Sequence, residues 1–104
     1  MTKTNMEQII KGLGDPFRLK LLERIKNGPG ETNSPISKTN PNAICPLDLR
    51  AGFPTMTKER LFYHLQLLVS ADLVHKIREG RYTYYSINRE GFESIIEWSK
   101  GIRD

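Results

Sequence analysis

The chain has 104 residues, of which 38% are hydrophobic and 27% charged. It is long enough for one domain with a modest core and too short for two, so we expect residues 1–104 to form a single domain. Sixteen Lys and Arg residues outnumber twelve Asp and Glu residues, which gives a formal charge of +4. This balance favours a polyanionic partner, nucleic acid before a membrane surface, although many small proteins are as basic without such a partner.

The chain carries one cysteine, Cys45, which excludes an intrachain disulfide and is typical of a reducing compartment. The first five residues lead into an amphipathic segment and not into the apolar core of a signal peptide. No apolar run approaches the roughly 20 residues that a membrane span needs. We therefore expect a cytoplasmic protein without a membrane partner.

Two helices are predicted first. Apolar residues with the spacing i, i+3, i+4, i+7 define one helical face: Met6, Ile9, Ile10 and Leu13. Gly14 ends this helix, and Asp15 and Pro16 begin the next one as N-cap and first-turn residue. The buried side of the second helix carries Phe17, Leu21, Leu22 and Ile25. Residues 28–44 contain three prolines and few apolar residues, which predicts a mobile loop, more plausibly a tolerated insertion than a functional lid.

Two further helices follow the loop. Residues 46–51 predict a short helix with Leu47 and Leu49 as its apolar anchors, and a turn over 52–54 comes next. Thr57 is the expected N-cap of a longer helix that ends near Asp72. Its core positions are Leu61, Leu65 and Leu68. The opposite face then presents Lys58, Glu59, Phe62, Tyr63 and Gln66, with Arg60 at the margin.

The hydrophobic period then changes to two. Residues 73–78 and 81–87 predict a β-hairpin around a Glu79-Gly80 turn. This hairpin carries the basic residues Lys76, Arg78 and Arg81. A last helix is predicted over residues 89–101, and its apolar residues occupy more than one face: Phe92, Ile95, Ile96, Trp98 and Ile102. The expected fold is mainly α with a small β-hairpin, and a winged helix-turn-helix accounts for every segment.

The exposed face of the 57–70 helix has the chemistry of a DNA-reading surface. Lys58 can donate to guanine and Glu59 can accept from cytosine, while Arg60 can reach a phosphate. Phe62 and Tyr63 suit thymine methyl groups or sugars, but aromatic residues at helical spacing are as easily core residues. The basic hairpin suits phosphate or minor-groove contact, and a solvated polar face is its alternative.

Three stretches resemble the ArsR/SmtB family of bacterial and archaeal repressors. They are LGDPFRLKLL at 13–22, the segment 57–74 with YHLQLL and ADLV, and REGRYTYYSI at 78–87. The resemblance covers nearly the whole chain outside residues 28–44 and implies a homodimer that reads a pseudo-palindromic operator. It also implies that the first and last helices form the dimer interface, with Met6, Ile9, Ile10, Leu13, Phe92, Ile95, Ile96, Trp98 and Ile102 as its candidates. The residues themselves also favour an interface, because a domain of this size does not readily bury so many apolar side chains on its own.

The chain departs from the family pattern at several places. Asp72 stands where relatives usually have glycine, and the bulky Phe62 and Tyr63 replace small polar residues, so the operator sequence does not carry over. The resemblance implies two places for a metal sensor: an arsenic-type cysteine box at residues 43–49 and a zinc-type site on the last helix. The box retains only Cys45, because Leu47 stands where a second thiolate is needed. The zinc-type site is missing as well, since residues 89–104 contain no histidine. We therefore predict no metal and no cofactor. Cys45 is either a redox or alkylation switch or an inert thiol, and an organic ligand or a protein partner that acts at the dimer interface stays open.

An enzyme is not expected. The sequence has no glycine-rich phosphate loop, no nucleophile–base pair at a recognisable spacing and no cluster of metal ligands. The alternative to a DNA-binding regulator is a winged helix that binds a protein partner, since fold does not determine function. A DNA-binding regulator should carry a continuous positive stripe on its surface, whereas a protein-binding winged helix need not. The expected stripe runs over Lys58, Arg60, Lys76, Arg78 and Arg81.

Overall fold

A computed structural model describes residues 6–104, and the first five residues of the predicted domain lie outside this range. Five helices and two strands follow in the order α1 (Met6–Leu13), α2 (Pro16–Asn27), α3 (Pro46–Ala51), α4 (Lys58–Ser70), β1 (Val74–Glu79), β2 (Tyr82–Ile87) and α5 (Arg89–Arg103). The mainly helical fold with one antiparallel hairpin, predicted from sequence, is confirmed. None of the described helices is long and apolar enough to cross a membrane.

The helix boundaries have local causes. The Asp15 carboxylate accepts a hydrogen bond from the backbone N–H of Phe17 at 2.8 Å, and Pro16 occupies the first turn of α2. The Thr57 hydroxyl accepts from the Arg60 N–H at 3.2 Å, and the Asn88 side chain caps α5 in the same way. These caps satisfy amide groups that have no partner within the helix.

The core lies between α2, α4 and the hairpin. It is built from buried, mostly aliphatic residues of these elements together with Ile9 of α1, Ile44 and Leu49. The predicted α4 core residues, Leu61, Leu65 and Leu68, are all buried. Each such side chain contributes about 1.5–3 kcal/mol through removal from water, so this shared core fixes the orientation of α4 relative to the hairpin.

Two local predictions about packing and turns are wrong. Leu49 anchors α3 as predicted, but Leu47 is 71% exposed, because α3 has fewer than two turns and only one side against the core. The hairpin turn is Gly80-Arg81 and not Glu79-Gly80, since Glu79 pairs with Tyr82. Gly80 has a φ of 61°, which suits the first central position of a two-residue hairpin turn.

Residues 28–44 form no helix, as predicted, but they are not a detached loop. Ile44 pairs with Tyr85 through two backbone hydrogen bonds of 2.9 and 2.8 Å, which extends the hairpin by a short third segment. The Thr32 hydroxyl donates to Asp48 of α3 at 2.6 Å, and the Tyr84 hydroxyl donates to the Pro35 carbonyl at 3.0 Å. The segment, here called the insertion, is thus tied to α3 and to β2, and the mobility expected of it stays a prediction.

Candidate nucleic-acid interface

Helix α4 turns one face to the core and the other to solvent. All six predicted DNA-facing residues of α4 are exposed: Lys58, Glu59, Arg60, Phe62, Tyr63 and Gln66. Phe62 is 36% exposed and Tyr63 is 61% exposed, so neither is a core residue. Both aromatic rings are available for contact from outside, and the first turn of α4 presents charged groups beside them.

The hairpin supplies the second part of the surface. Lys76 and Arg78 are two residues apart on β1 and are both exposed, as is Arg81 in the turn. The Arg81 guanidinium lies over the Tyr82 ring, 5.7 Å from its centroid, which is cation–π geometry. This stacking orients a long side chain at the tip of the hairpin.

A groove of about 460 Å³ joins α4 to the hairpin, and we call it the helix–wing groove. Phe62 of α4 lines it together with the three hairpin cations, Lys76, Arg78 and Arg81. Its remaining wall comes mainly from residues 34–35, 45–47 and 82–85. Predicted contact residues from two separate segments of the chain are thus brought to one concave, basic and aromatic surface.

A buried arginine sets the position of α4. The Arg18 side chain donates to the carbonyl oxygens of Gly12 at 2.7 Å and Lys11 at 3.1 Å, at the end of α1. Its Nη1 lies 3.0 Å from Nδ1 of His64 on α4. Arginine has only donors, so Nδ1 accepts and the neutral imidazole carries its proton on Nε2. The centre of the His64 ring also lies 4.7 Å from that of the Phe17 ring, so His64 packs between α2 and α4.

Burial and the neighbouring Arg18 charge both lower the pKa of His64 from its usual value of 6.5. The Asp15 carboxylate opposes the shift, and Arg60 adds to it more weakly. The neutral form is therefore favoured in the folded protein.

A second polar cluster fixes the insertion to the hairpin. The Glu79 carboxylate accepts from the hydroxyls of Ser37 and Thr39, both at 2.6 Å, and from the amides of Lys38 at 2.9 Å and Thr39 at 3.2 Å. These donors lower the pKa of Glu79 to about 2. We call this cluster the Glu79 clasp. Sequence reasoning placed Glu79 in a turn and assigned it no partner.

Cys45 lies half-buried at the start of α3 and lines the helix–wing groove. Its side chain makes no capping hydrogen bond to α3. Within residues 6–104, no group of three His, Cys, Asp or Glu side chains is placed to hold a metal ion. The switch role suggested for Cys45 stays a prediction.

The candidate dimer residues divide into three groups. Ile9 is 0% exposed and belongs to the core of its own protomer, so it offers no surface to a partner. Partly buried residues pack against the core from α1 and α5, namely Met6, Leu13, Phe92 and Ile95. The remaining residues are exposed on the same two helices: Ile10, Ile96, Trp98 and Ile102.

Together, the capped helix α4, the basic hairpin and the order of elements define a winged helix-turn-helix regulator. No family model matches the chain. The arsenical resistance operon repressor of Bacillus subtilis is 30% identical over 86% of this chain and 72% of its own length. The transcriptional repressor SdpR of the same organism is 26% identical over 89% of this chain and 87% of its own length.

A solution structure from Mycobacterium bovis shows the same fold, with a TM-score of 0.65 and 21% identity over 95% of this chain and 78% of that one. It is the homodimeric winged helix-turn-helix DNA-binding domain of a possible ArsR-family transcriptional regulator. The present chain belongs to the ArsR family of transcriptional regulators. It is thus a regulator and not an enzyme, as the sequence predicts.

Proposed function

We propose that the protein is a repressor that binds double-stranded DNA sequence-specifically as a homodimer. The observation that carries this proposal is the helix–wing groove, in which Phe62 of α4 and the three hairpin cations line one surface. A protein-binding winged helix has no need of cations on both the helix and the hairpin, whereas DNA presents phosphates to both. A repressor of this kind acts in the cytoplasm, where its operator lies.

Each part of the surface has a distinct task in this proposal. Helix α4 enters the major groove with its N-terminal end first, so that Lys58 reads guanine and Glu59 reads cytosine. In this proposal Arg60 and Tyr63 contact the sugar–phosphate backbone, and Phe62 contacts a thymine methyl group. Gln66, one turn further along α4, reaches adenine or the backbone. The hairpin cations Lys76, Arg78 and Arg81 contact phosphates or the adjacent minor groove.

Dimerisation completes the operator-binding unit. Exposed apolar residues on α1 and α5 support pairing of two copies through these helices, and the M. bovis neighbour is itself homodimeric. A two-fold axis between the protomers places the two α4 helices about 34 Å apart, one turn of DNA. The matching operator is pseudo-palindromic.

The test is a fluorescence-anisotropy titration of a labelled duplex from the protein's own promoter, with scrambled DNA as the control. Titrations at several salt concentrations separate charge from sequence recognition. We expect Lys58→Ala to relax specificity at one base pair, at a cost of about 1–3 kcal/mol. We expect Arg81→Ala to weaken binding to all sequences and to lower the salt slope by about one.

Lys26→Ala is the matched control. Lys26 is an exposed lysine of α2 that does not line the helix–wing groove. The proposal fails if the wild type does not prefer the promoter over scrambled DNA, or if all three variants bind equally well. Absence of any binding at low salt would favour the protein-binding alternative.

A further inference from the structure

The insertion is fastened to the hairpin at the end next to the Gly80-Arg81 turn. The Glu79 clasp accepts four hydrogen bonds from three consecutive residues of the insertion, Ser37 to Thr39. Ser37 is only 2% exposed, and its hydroxyl oxygen also accepts from the Asn40 amide at 3.1 Å. This many donors on one carboxylate define the backbone position of Lys38 relative to the hairpin turn.

The clasp holds a cation next to the proposed DNA surface. Residues 28–44 contain two charged residues, Glu31 and Lys38. Lys38 is exposed and lines a groove of about 520 Å³ together with Arg81 of the hairpin turn. Glu31 lies instead in a different cavity, beside Leu47 and Asp48 of α3. The insertion therefore adds positive charge at the hairpin and keeps its acidic residue elsewhere.

The second groove, lined by Lys38 and Arg81, adjoins the helix–wing groove but has no wall from α4, and this determines which part of the DNA it could contact. It shares Pro35, Arg81, Tyr82 and Tyr84 with the helix–wing groove, so the two grooves adjoin across the second strand. Phe62 of α4 lines the helix–wing groove, and no residue of α4 lines the second groove. The part of the insertion that carries Lys38 thus lines a groove without α4 residues, whereas residues 34–35 of the insertion also line the helix–wing groove.

We propose that the insertion is a third DNA-contacting element, in which the Glu79 clasp positions Lys38 beside Arg81 to bind phosphates that flank the base pairs read by α4. This inference rests on the DNA-binding function proposed above and extends its surface. Glu79 is a positioning residue, since its carboxylate faces the insertion and its charge is taken up by four donors. Lys38 is the residue that touches DNA.

The first test compares Lys38→Ala with the control Lys26→Ala, using the full-length protein and the promoter duplex. Loss of one phosphate contact lowers the salt slope by about 0.9 and weakens binding at 0.1 M salt by about 3- to 10-fold. We expect this for Lys38→Ala and no change for Lys26→Ala. Trimming the duplex to the base pairs under the two α4 helices should abolish the difference between Lys38→Ala and wild type.

The second test is a double-mutant cycle with Glu79→Gln. Removal of the Glu79 charge alone favours DNA binding by simple electrostatics, and the cycle cancels this effect. If the clasp positions Lys38, the 3- to 10-fold effect of Lys38→Ala shrinks in the Glu79→Gln background by about the same factor. Circular dichroism checks that both variants keep the wild-type fold.

The outcomes separate this inference from the proposed function. If the wild type binds the promoter and Arg81→Ala weakens binding, but Lys38→Ala changes neither affinity nor salt slope, the insertion does not contact DNA. An unchanged Lys38→Ala effect in the Glu79→Gln background would overturn the positioning role of the clasp. If the wild type binds no DNA at all, the proposed function itself is wrong.

Discussion

The side chain of Arg18 links the end of α1 to α4, the helix that carries the proposed DNA-reading residues. It donates to two carbonyl groups at the end of α1 and to His64 on α4. Carbonyl groups in the last turn of a helix have no partner within the helix, so the guanidinium supplies a donor to the buried Gly12 carbonyl and a second donor to the Lys11 carbonyl, which also accepts from the Gly14 amide. Asp15 lies 3.8 Å from Arg18 and partly balances its charge. The orientation of α4 therefore depends on a polar contact as well as on leucines.

This contact makes stability depend on pH through His64. Because its folded pKa is below 6.5, the unfolded chain binds the proton more tightly. The stability that the neutral imidazole provides is complete above pH 6.5 and is lost as the pH falls from 6.5 to the folded pKa. A protonated Nδ1 would also direct an N–H toward Arg18, which has only donors.

We predict that the free energy of unfolding, measured by urea titration between pH 5 and 8, decreases on the acid side of pH 6.5. His64→Gln should flatten this dependence, because the glutamine oxygen can accept from Arg18 and does not titrate. The carboxylates with lowered pKa values, Asp15 and Glu79, lose their contributions only below their ordinary values of 3.8 and 4.5. Equal pH profiles for wild type and His64→Gln would contradict the assignment.

At the scale of elements, the first turn of α5 lies close against the backbone that follows α4. Asp72, which follows α4, has a φ of 58°. This value lies in the left-handed region, which glycine adopts without steric cost and aspartate adopts less readily. A Cβ at Gly91 of α5 would overlap with the Asp72 carbonyl oxygen. The first turn of α5 thus sits directly on the chain reversal between α4 and β1.

We predict that Gly91→Ala lowers the free energy of unfolding by about 1–3 kcal/mol, since the overlapping atoms belong to the backbone and cannot rotate away. Gly101→Ala in the same helix is the control, because a Cβ there meets no atom within 4 Å. Its stability should stay unchanged or rise by up to about 1 kcal/mol, as alanine is the better helix former. Thermal unfolding of both variants measures the difference, and a Gly91→Ala protein as stable as wild type would disprove this close packing.

Elements with regular periodicity could be predicted from the sequence, and long-range polar contacts could not. Caps such as Asp15 and Thr57 act within three residues, so their effect is visible locally. The Glu79 clasp joins positions about 40 residues apart, and no local pattern indicates it. Arg18 did leave a signal, since it shares the helical face of Leu21 and Ile25. A charged residue on an apolar face predicts a buried partner.

At the scale of the whole molecule, apolar side chains left exposed on α1 and α5 require an explanation. Trp98 and Ile96 are about half-exposed, as is Ile10 on the neighbouring α1, and α1 contacts α5. Such a surface is costly in water and is typical of a protein–protein interface. Ile9, a candidate interface residue from the sequence, is buried in the core. That prediction is wrong because helical spacing alone does not separate the core side of a short helix from its interface side.

We predict that Ile102→Glu converts the proposed dimer to a monomer, because a carboxylate would be buried without a partner at the interface. Leu47→Glu is a matched control for the oligomeric state alone, since Leu47 on α3 and Ile102 on α5 are both 71% exposed but Leu47 also lines the helix–wing groove. Sedimentation equilibrium distinguishes a monomer of 12.0 kDa from a dimer of twice that mass. The two half-sites of an operator are bound cooperatively only when the protomers are linked. Ile102→Glu should therefore lose most of its operator affinity while its fold persists, whereas a dimer that survives this substitution would place the interface elsewhere.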